Sequence, residues 1–150
     1  MPQASELGPD EVVFRLFREH FIPDGQKYPN GEAFIPSSID HDDAKKRGTP
    51  VRVTVWDQAL TTPSQAKFIW GFNQPVMVFK IRVRDVIQLR ARIQRLSMAV
   101  VRDPLIATDK AGAEGHCGFE GLDRNKDEPR TKYKTLLDEV AQLCHESARL

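Results

Sequence analysis

The chain has 150 residues, enough for one domain with its own core, and its 40% hydrophobic and 29% charged content is typical of a soluble globular protein. No apolar run approaches the roughly 18 residues that a membrane span requires, which argues against an integral membrane protein. The N-terminus lacks the basic and apolar segments of a secretory signal, and only two cysteines are present. The sequence therefore predicts a cytoplasmic protein.

The net charge of +1 conceals an uneven distribution along the chain. Residues 44–102 hold twelve basic and two acidic side chains, whereas the segments on either side are acidic overall. A basic segment of this kind indicates a surface for an anionic partner, although the acidic segments could instead fold back and neutralise it.

The first third of the chain contains one predicted core strand. After a polar leader, residues 1–10, the β-branched and aromatic residues 11–17 (EVVFRLF) predict a strand, with a helix as the alternative. Residues 33–39 (AFIPSSI) predict a short strand at a sheet edge, because Pro36 cannot donate a backbone hydrogen bond there. The highly charged residues 40–50 predict a solvated connection.

The middle third alternates strands and helices. Residues 51–56 (VRVTVW) show the period-two pattern of a half-buried strand. Thr61 or Thr62 before Pro63 supplies a helix start, and Gly71 supplies its end, so a short helix is predicted over 63–70. Further elements follow in order: a strand at 75–83, a helix at 85–95 and a strand at 96–101.

The last predicted element is an amphipathic helix that begins at Pro129. Its apolar residues recur at steps of three and four, so it should pack on the sheet. They are Tyr133, Leu136, Leu137, Val140, Leu143 and Cys144. The whole pattern predicts a single α+β domain with a mixed or mostly antiparallel sheet covered by helices on one face.

Residues 115–122 (GHCGFEGL) combine a histidine, a cysteine and a glutamate with three glycines. The glycines predict a tight turn, with a positive φ at Gly118. The alternative is a catalytic site in which His116 transfers protons and Glu120 orients it or acts as a second acid or base. In an extended strand these two side chains would lie about 13 Å apart, so this alternative requires the turn.

A second version of the enzyme hypothesis uses residues from separate elements. Arg15 could hold phosphates, Ser38 could support it and Glu120 could activate an acceptor, in nucleotide or NAD-type group transfer or in hydrolysis. The chain lacks a phosphate-binding loop and a dinucleotide fingerprint, so no resident cofactor is predicted.

A zinc site is disfavoured by spacing. The candidate ligands occur as two adjacent pairs, His116 with Cys117 and Cys144 with His145. Ligands of structural zinc sites are separated by two to five residues within a pair, because neighbouring side chains diverge. No metal site is predicted.

The leading functional hypothesis comes from the basic segment. Five cations in residues 80–102 are expected to face solvent on a strand and the following helix, where they would contact nucleic acid or an acidic protein partner. They are Lys80, Arg82, Arg84, Arg92 and Arg95. The sequence thus predicts a binding or accessory module, with the enzyme around His116 and Glu120 as the alternative.

Overall fold

Six antiparallel strands form one sheet in the computed structural model of the chain, which describes residues 4–26, 28–106 and 108–150. Their order across the sheet is β4-β5-β2-β1-β3-β6, and each pair of neighbours is antiparallel. The strands are β1 (Val12–Arg18), β2 (Arg52–Asp57), β3 (Val76–Arg82), β4 (Ala99–Arg102), β5 (His116–Glu120) and β6 (His145–Arg149).

Four α-helices connect or follow these strands in the described part of the chain, together with short 3₁₀ turns. The helices are α1 (Ser38–Arg47), α2 (Pro63–Trp70), α3 (Val83–Ile93) and α4 (Arg130–Ala141). The predicted α+β class is confirmed, and the sheet is antiparallel throughout.

The bounds predicted for α2 are confirmed. Both of its ends are determined by residues directly beside them in the sequence. The Thr62 hydroxyl accepts from the backbone N–H of Gln65, whose side chain accepts in return from the N–H of Thr62. This reciprocal cap satisfies two backbone donors that would otherwise lack partners. Gly71, with a φ of 74°, ends the helix in a left-handed conformation.

Helices cover both faces of the sheet, and not one face as predicted. Side chains that alternate along each strand separate into two apolar clusters. On the first face, Val13 and Phe17 of β1 pack with α3 and α4. On the second face, Phe14 and Leu16 of the same strand pack with α2. Both faces require a cover because β1 is apolar on both sides.

The predicted strand at 33–39 and the connection at 40–50 are wrong. Residues 31–34 form a 3₁₀ turn, and α1 begins directly after Ser37. The Ser37 hydroxyl accepts from the backbone N–H of Asp40, and the Asp40 carboxylate accepts from the N–H of Ser37. Ala44 is the one buried residue of this helix. Its stability therefore comes from capping and from charges that complement the helix dipole.

The predicted turn at Gly118 is also wrong. Residues 116–120 form β5, which pairs with β2 on one side and β4 on the other. Gly118 lies opposite Thr54 in extended backbone, and a Cβ there would come within 2.5 Å of Arg52 Cδ. The left-handed glycine is Gly121, with a φ of 82°. The glycine inside the strand thus serves close packing rather than a turn.

The two ends of the described chain lie at the edges of the sheet. Leu7, in the segment predicted as a polar leader, is buried, and its N–H donates to the carbonyl of Val100 on β4. At the opposite edge, β6 replaces the predicted continuation of the last helix, which ends at Ala141. No helix in the described ranges is long and apolar enough to cross a membrane.

Candidate functional site

A cleft of about 220 Å³ opens on the second face of the sheet, between α1 and the end of α2. Its floor is formed by Arg52 and Thr54 of β2 and by His116 and Cys117 of β5, which lie on neighbouring strands. Polar and apolar side chains from three other segments complete it. They are Ile39, Asp40, Asp43 and Arg47 of α1, Trp70 of α2, and Asp103 and Leu105 after β4. We refer to this space as the His116 cleft.

The hydrogen bonds of His116 determine its tautomer. Nδ1 lies 2.7 Å from the carbonyl oxygen of Asp103, and a carbonyl can only accept, so Nδ1 carries the proton. Nε2 is therefore an acceptor, and the Thr54 hydroxyl donates to it at 3.3 Å. Burial lowers the pKa of His116, and the Asp103 carbonyl and carboxylate oppose this effect only in part. The imidazole is thus neutral near pH 7 and has a directed lone pair.

Two tryptophans hold the imidazole ring in place. The Trp70 ring stacks on it, with centroids 5.5 Å apart and an interplanar angle of 23°. Trp56 contacts it edge-on from the neighbouring strand, with centroids 5.0 Å apart. Trp56 is fully buried, whereas Trp70 is 46% exposed at the cleft mouth. The ring is therefore fixed on one side and close to solvent on the other.

An ion network surrounds the Asp103 carboxylate, which is only 8% exposed. Arg47 donates to both of its oxygens, and Arg52 lies 3.5 Å from one of them. Burial alone would raise the pKa of Asp103, but the hydrogen bonds and charge of Arg47 outweigh this effect and lower it. Asp103 is consequently ionised, and its Oδ2 lies 3.9 Å from Nδ1 of His116.

His116 and Glu120 are linked, although not by the predicted turn. Both side chains lie on the second face of the sheet, separated by Gly118. Arg52 connects them, because its Nε donates to Glu120 at 2.8 Å while its guanidinium contacts Asp103. Glu120 is therefore an ion-pair partner of Arg52 and does not contact the imidazole.

Arg15 lies in the core on the first face, with its guanidinium beside the rings of Phe17 and Phe34. It donates to the carbonyls of Ala33 and Thr54, and burial lowers its pKa to about 10. Thr54 is its link to the cleft, because the hydroxyl of that residue contacts His116.

Ser38 faces solvent at the first turn of α1, while the next residue, Ile39, lines the cleft. The predicted set of Arg15, Ser38, His116 and Glu120 thus does not converge on one point.

Arg95 is not part of the predicted basic surface, because its side chain is only 10% exposed. Its guanidinium donates to the carbonyls of Gly121 and Asp123 and to the carboxylate of Glu128. It stabilises the loop after β5 and lies beyond the end of α3, which stops at Ile93. The prediction that Arg95 faces solvent is therefore wrong.

The other four cations do not share a surface. Arg92 contacts Glu139 of α4 at 3.4 Å, in the helix layer of the first face. Lys80 and Arg82 lie on the second face of β3, and Lys80 pairs with Glu146 at 3.1 Å. Arg84 is exposed at the first turn of α3. The exposed cations are thus divided between the end of β3, where Arg82 and Arg84 lie, and the later part of α3, where the Arg92 side chain is 64% exposed.

Sequence reasoning missed Arg47, Trp70 and Asp103 as site residues. A usable signal was present in β2, where Arg52 and Thr54 place polar side chains on the face opposite to the valines. The missing information was which strand pairs with β2 and which elements lie over its polar face.

No protein-family model, curated protein or solved structure matches the chain. Within the described ranges, no group of three or more His, Cys, Asp or Glu side chains is placed to hold a metal ion. Cys117 and Cys144 are free and buried, and burial raises the pKa of each thiol to about 12. Neither cysteine is suited to act as a nucleophile at neutral pH.

Proposed function

We propose that the protein is an enzyme that binds a small ligand in the His116 cleft and uses Nε2 of His116 as a general base. The reaction class is hydrolysis or group transfer, in which a hydroxyl group or a water molecule loses its proton to the imidazole. The observation that supports this best is the directed lone pair of Nε2 beside a hydroxyl group. A base of this kind must be neutral at the working pH, within reach of a proton and held in one tautomer.

The surroundings of His116 suit proton transfer. The contact with Thr54 is long at 3.3 Å, so a ligand hydroxyl or a water can compete for the same lone pair. Once protonated, the imidazolium would be stabilised by the Asp103 carboxylate, 3.9 Å from Nδ1. Arg47 keeps that carboxylate ionised. The imidazole thus has both an acceptor site and a nearby countercharge.

The cleft also offers groups for ligand recognition. Trp70 is 46% exposed at the mouth, and the Arg47 side chain is 42% exposed there. A flat or apolar group would pack on the indole, whereas the Arg47 guanidinium already pairs with Asp43 and Asp103.

The test combines a substrate panel with two histidine variants. Purified protein is assayed against activated esters, phosphodiesters and nucleotides. The variant His116→Gln should lose turnover by roughly 10²-fold or more, the size of a general-base contribution. His41→Gln is the matched control, because His41 is exposed on α1. In the parent, kcat/KM should fall only at a pH below 6.5, because burial lowers the pKa of His116 from that ordinary value.

Intrinsic fluorescence reports binding in the same experiment. The two tryptophans of the chain, Trp56 and Trp70, both contact His116. A ligand in the cleft should therefore change the emission in proportion to occupancy. Full turnover by His116→Gln, or a panel with neither turnover nor any fluorescence change, would contradict the proposal.

A second candidate function is binding of an acidic protein or nucleic acid by Lys80, Arg82 and Arg84. It is supported by the exposure of Arg82 and Arg84 at the end of β3. Arg82→Glu combined with Arg84→Glu should abolish retention of DNA, RNA or an acidic polypeptide at low salt. Lys134→Glu, on the exposed side of α4, is the control. If the parent protein binds none of these partners, this candidate is wrong.

A further inference from the structure

A second cavity of about 410 Å³ lies beside the His116 cleft. The two cavities share four lining residues and therefore adjoin each other, and we refer to the pair as the combined depression. The shared residues are Arg47, Trp70, Asp103 and Leu105. Beyond them the outer cavity is lined by Ile69, Ile106 and Lys110, and we call it the outer groove.

Exposed apolar side chains are concentrated around this depression. Ile106 is 94% exposed, Ile39 is 75% exposed and Phe68 is 70% exposed. Ile106 lines the outer groove, Ile39 lines the His116 cleft, and the Phe68 ring lies under the Lys110 ammonium at 4.9 Å. Single exposed hydrophobic residues are ordinary, whereas several around one opening indicate a binding site.

The charge of the outer groove favours an anion at its outer end. Lys110 makes no ion pair with any described residue, and its ammonium lies over the Phe68 ring. At the inner end, the Arg47 guanidinium is committed to Asp103 and Asp43. Lys110 is therefore the groove cation that is available to a ligand.

We propose that the outer groove binds a small amphiphilic anion, with an acyl or aromatic body on Ile69, Leu105 and Ile106 and its anionic group at Lys110. The combined depression has the size of an ordinary small-ligand site. The end of the ligand opposite its anionic group would then lie beside His116. This inference rests on the proposed function for that inner end, but groove binding itself does not require catalysis.

The test uses two fluorescent probes that differ in charge. Anilinonaphthalene sulfonate has an aromatic body and an anionic group, and phenylnaphthylamine has a similar body without the charge. Each is titrated into the native protein at neutral pH, with energy transfer from tryptophan as a measure of proximity to Trp70. The anionic probe should bind saturably and tighter than the neutral one.

Two groove variants and two controls separate the contributions. Lys110→Glu should weaken the anionic probe about tenfold or more and leave the neutral probe nearly unchanged. Ile106→Asp should weaken both. The controls are Leu96→Asp, whose side chain is 85% exposed outside the groove, and Lys134→Glu on the exposed side of α4. Neither control should change binding.

The probe titrations can support or overturn the groove proposal. The proposal is overturned if the anionic probe does not bind saturably. It is also overturned if Leu96→Asp weakens probe binding as much as the groove variants do, or if neither groove variant changes probe binding. His116→Gln should retain probe binding. If that variant also retains turnover of a substrate, the general-base proposal fails while the groove proposal stands, so the two failures are distinguishable.

Discussion

Replacement of His116 by alanine should destabilise the protein by about 3 kcal/mol. The imidazole is 7% exposed and makes two hydrogen bonds, each of which contributes about 1 kcal/mol. It also fills the space between the rings of Trp56 and Trp70, and loss of these contacts adds on the order of 1 kcal/mol. For a chain of this length, the midpoint of thermal unfolding should fall by roughly 6–12 °C.

The variant His116→Phe separates ring packing from hydrogen bonding. A phenyl ring retains contact with both tryptophans but leaves the Asp103 carbonyl and the Thr54 hydroxyl without their partner. Its cost should be about 2 kcal/mol, mainly from the desolvated carbonyl. Urea unfolding followed by far-ultraviolet circular dichroism is the suitable assay, because tryptophan emission would itself respond to the substitution.

The pH dependence gives an independent measurement of the same residue. Because the pKa of His116 is lower in the folded state than its ordinary value of 6.5, the unfolded chain binds a proton at higher pH than the folded chain. Stability should therefore be constant above that range, decrease as the pH falls through 6.5, and level off below the folded-state pKa. The pKa of His145 is also lowered, but His145 is present in both proteins. The difference between the parent and His116→Phe thus reports His116 alone.

Two results would refute this reasoning. A change of less than about 0.5 kcal/mol in His116→Ala would show that the ring is not packed between the tryptophans. An identical pH dependence in the parent and His116→Phe would show that the imidazole is not desolvated.

Three further substitutions test the fold. Gly121→Ala should destabilise the protein by about 3 kcal/mol, because Gly121 has a positive φ and a Cβ there would lie 2.6 Å from backbone atoms. Gly71→Ala should cost only about 1 kcal/mol, because Gly71 has a positive φ but open space around it. Equal losses of stability in urea unfolding would contradict the clash at Gly121. Val140→Ala, at a fully buried position of α4, should cost about 2 kcal/mol, and an unchanged midpoint of thermal unfolding would remove α4 from the core. Arg95→Met should destabilise by about 3 kcal/mol because it leaves a buried carboxylate unpaired, whereas full stability in urea would place Arg95 on the surface.

Elements with local signals could be predicted from the sequence. Alternation in β2, the cap and terminal glycine of α2, and the apolar stripe of α4 are each contained within about a dozen residues. The helix α1 could not be predicted from periodicity, because only one of its residues, Ala44, is buried. It therefore has no amphipathic pattern. Its visible signal was the pair Ser37 and Asp40, three residues apart, which is a capping pattern. Pro36 directly before them was interpreted instead as an edge-strand residue.

The candidate site depends on contacts between distant segments. Asp103 lies just beyond the strand predicted at 96–101, and Arg47 lies within the charged connection predicted at 40–50. Their ion pair joins residues 56 positions apart in the chain. Only the pairing of β2 with β5 and the placement of α1 over the second face bring them beside His116. Burial of Arg95 could not be predicted either, because its acceptors lie in the loop after β5.

The composition of GHCGFEGL does not determine the role of its glycines. A glycine permits a positive φ, but it also permits close approach of another chain segment, and the sequence does not distinguish these two uses. In the structure Gly121 serves the first purpose and Gly118 the second. The Arg52 side chain crosses Gly118 and connects the acids on either side, Glu120 on β5 and Asp103 after β4. The same glycine that suggested a turn therefore allows an extended strand to carry a continuous polar network to His116.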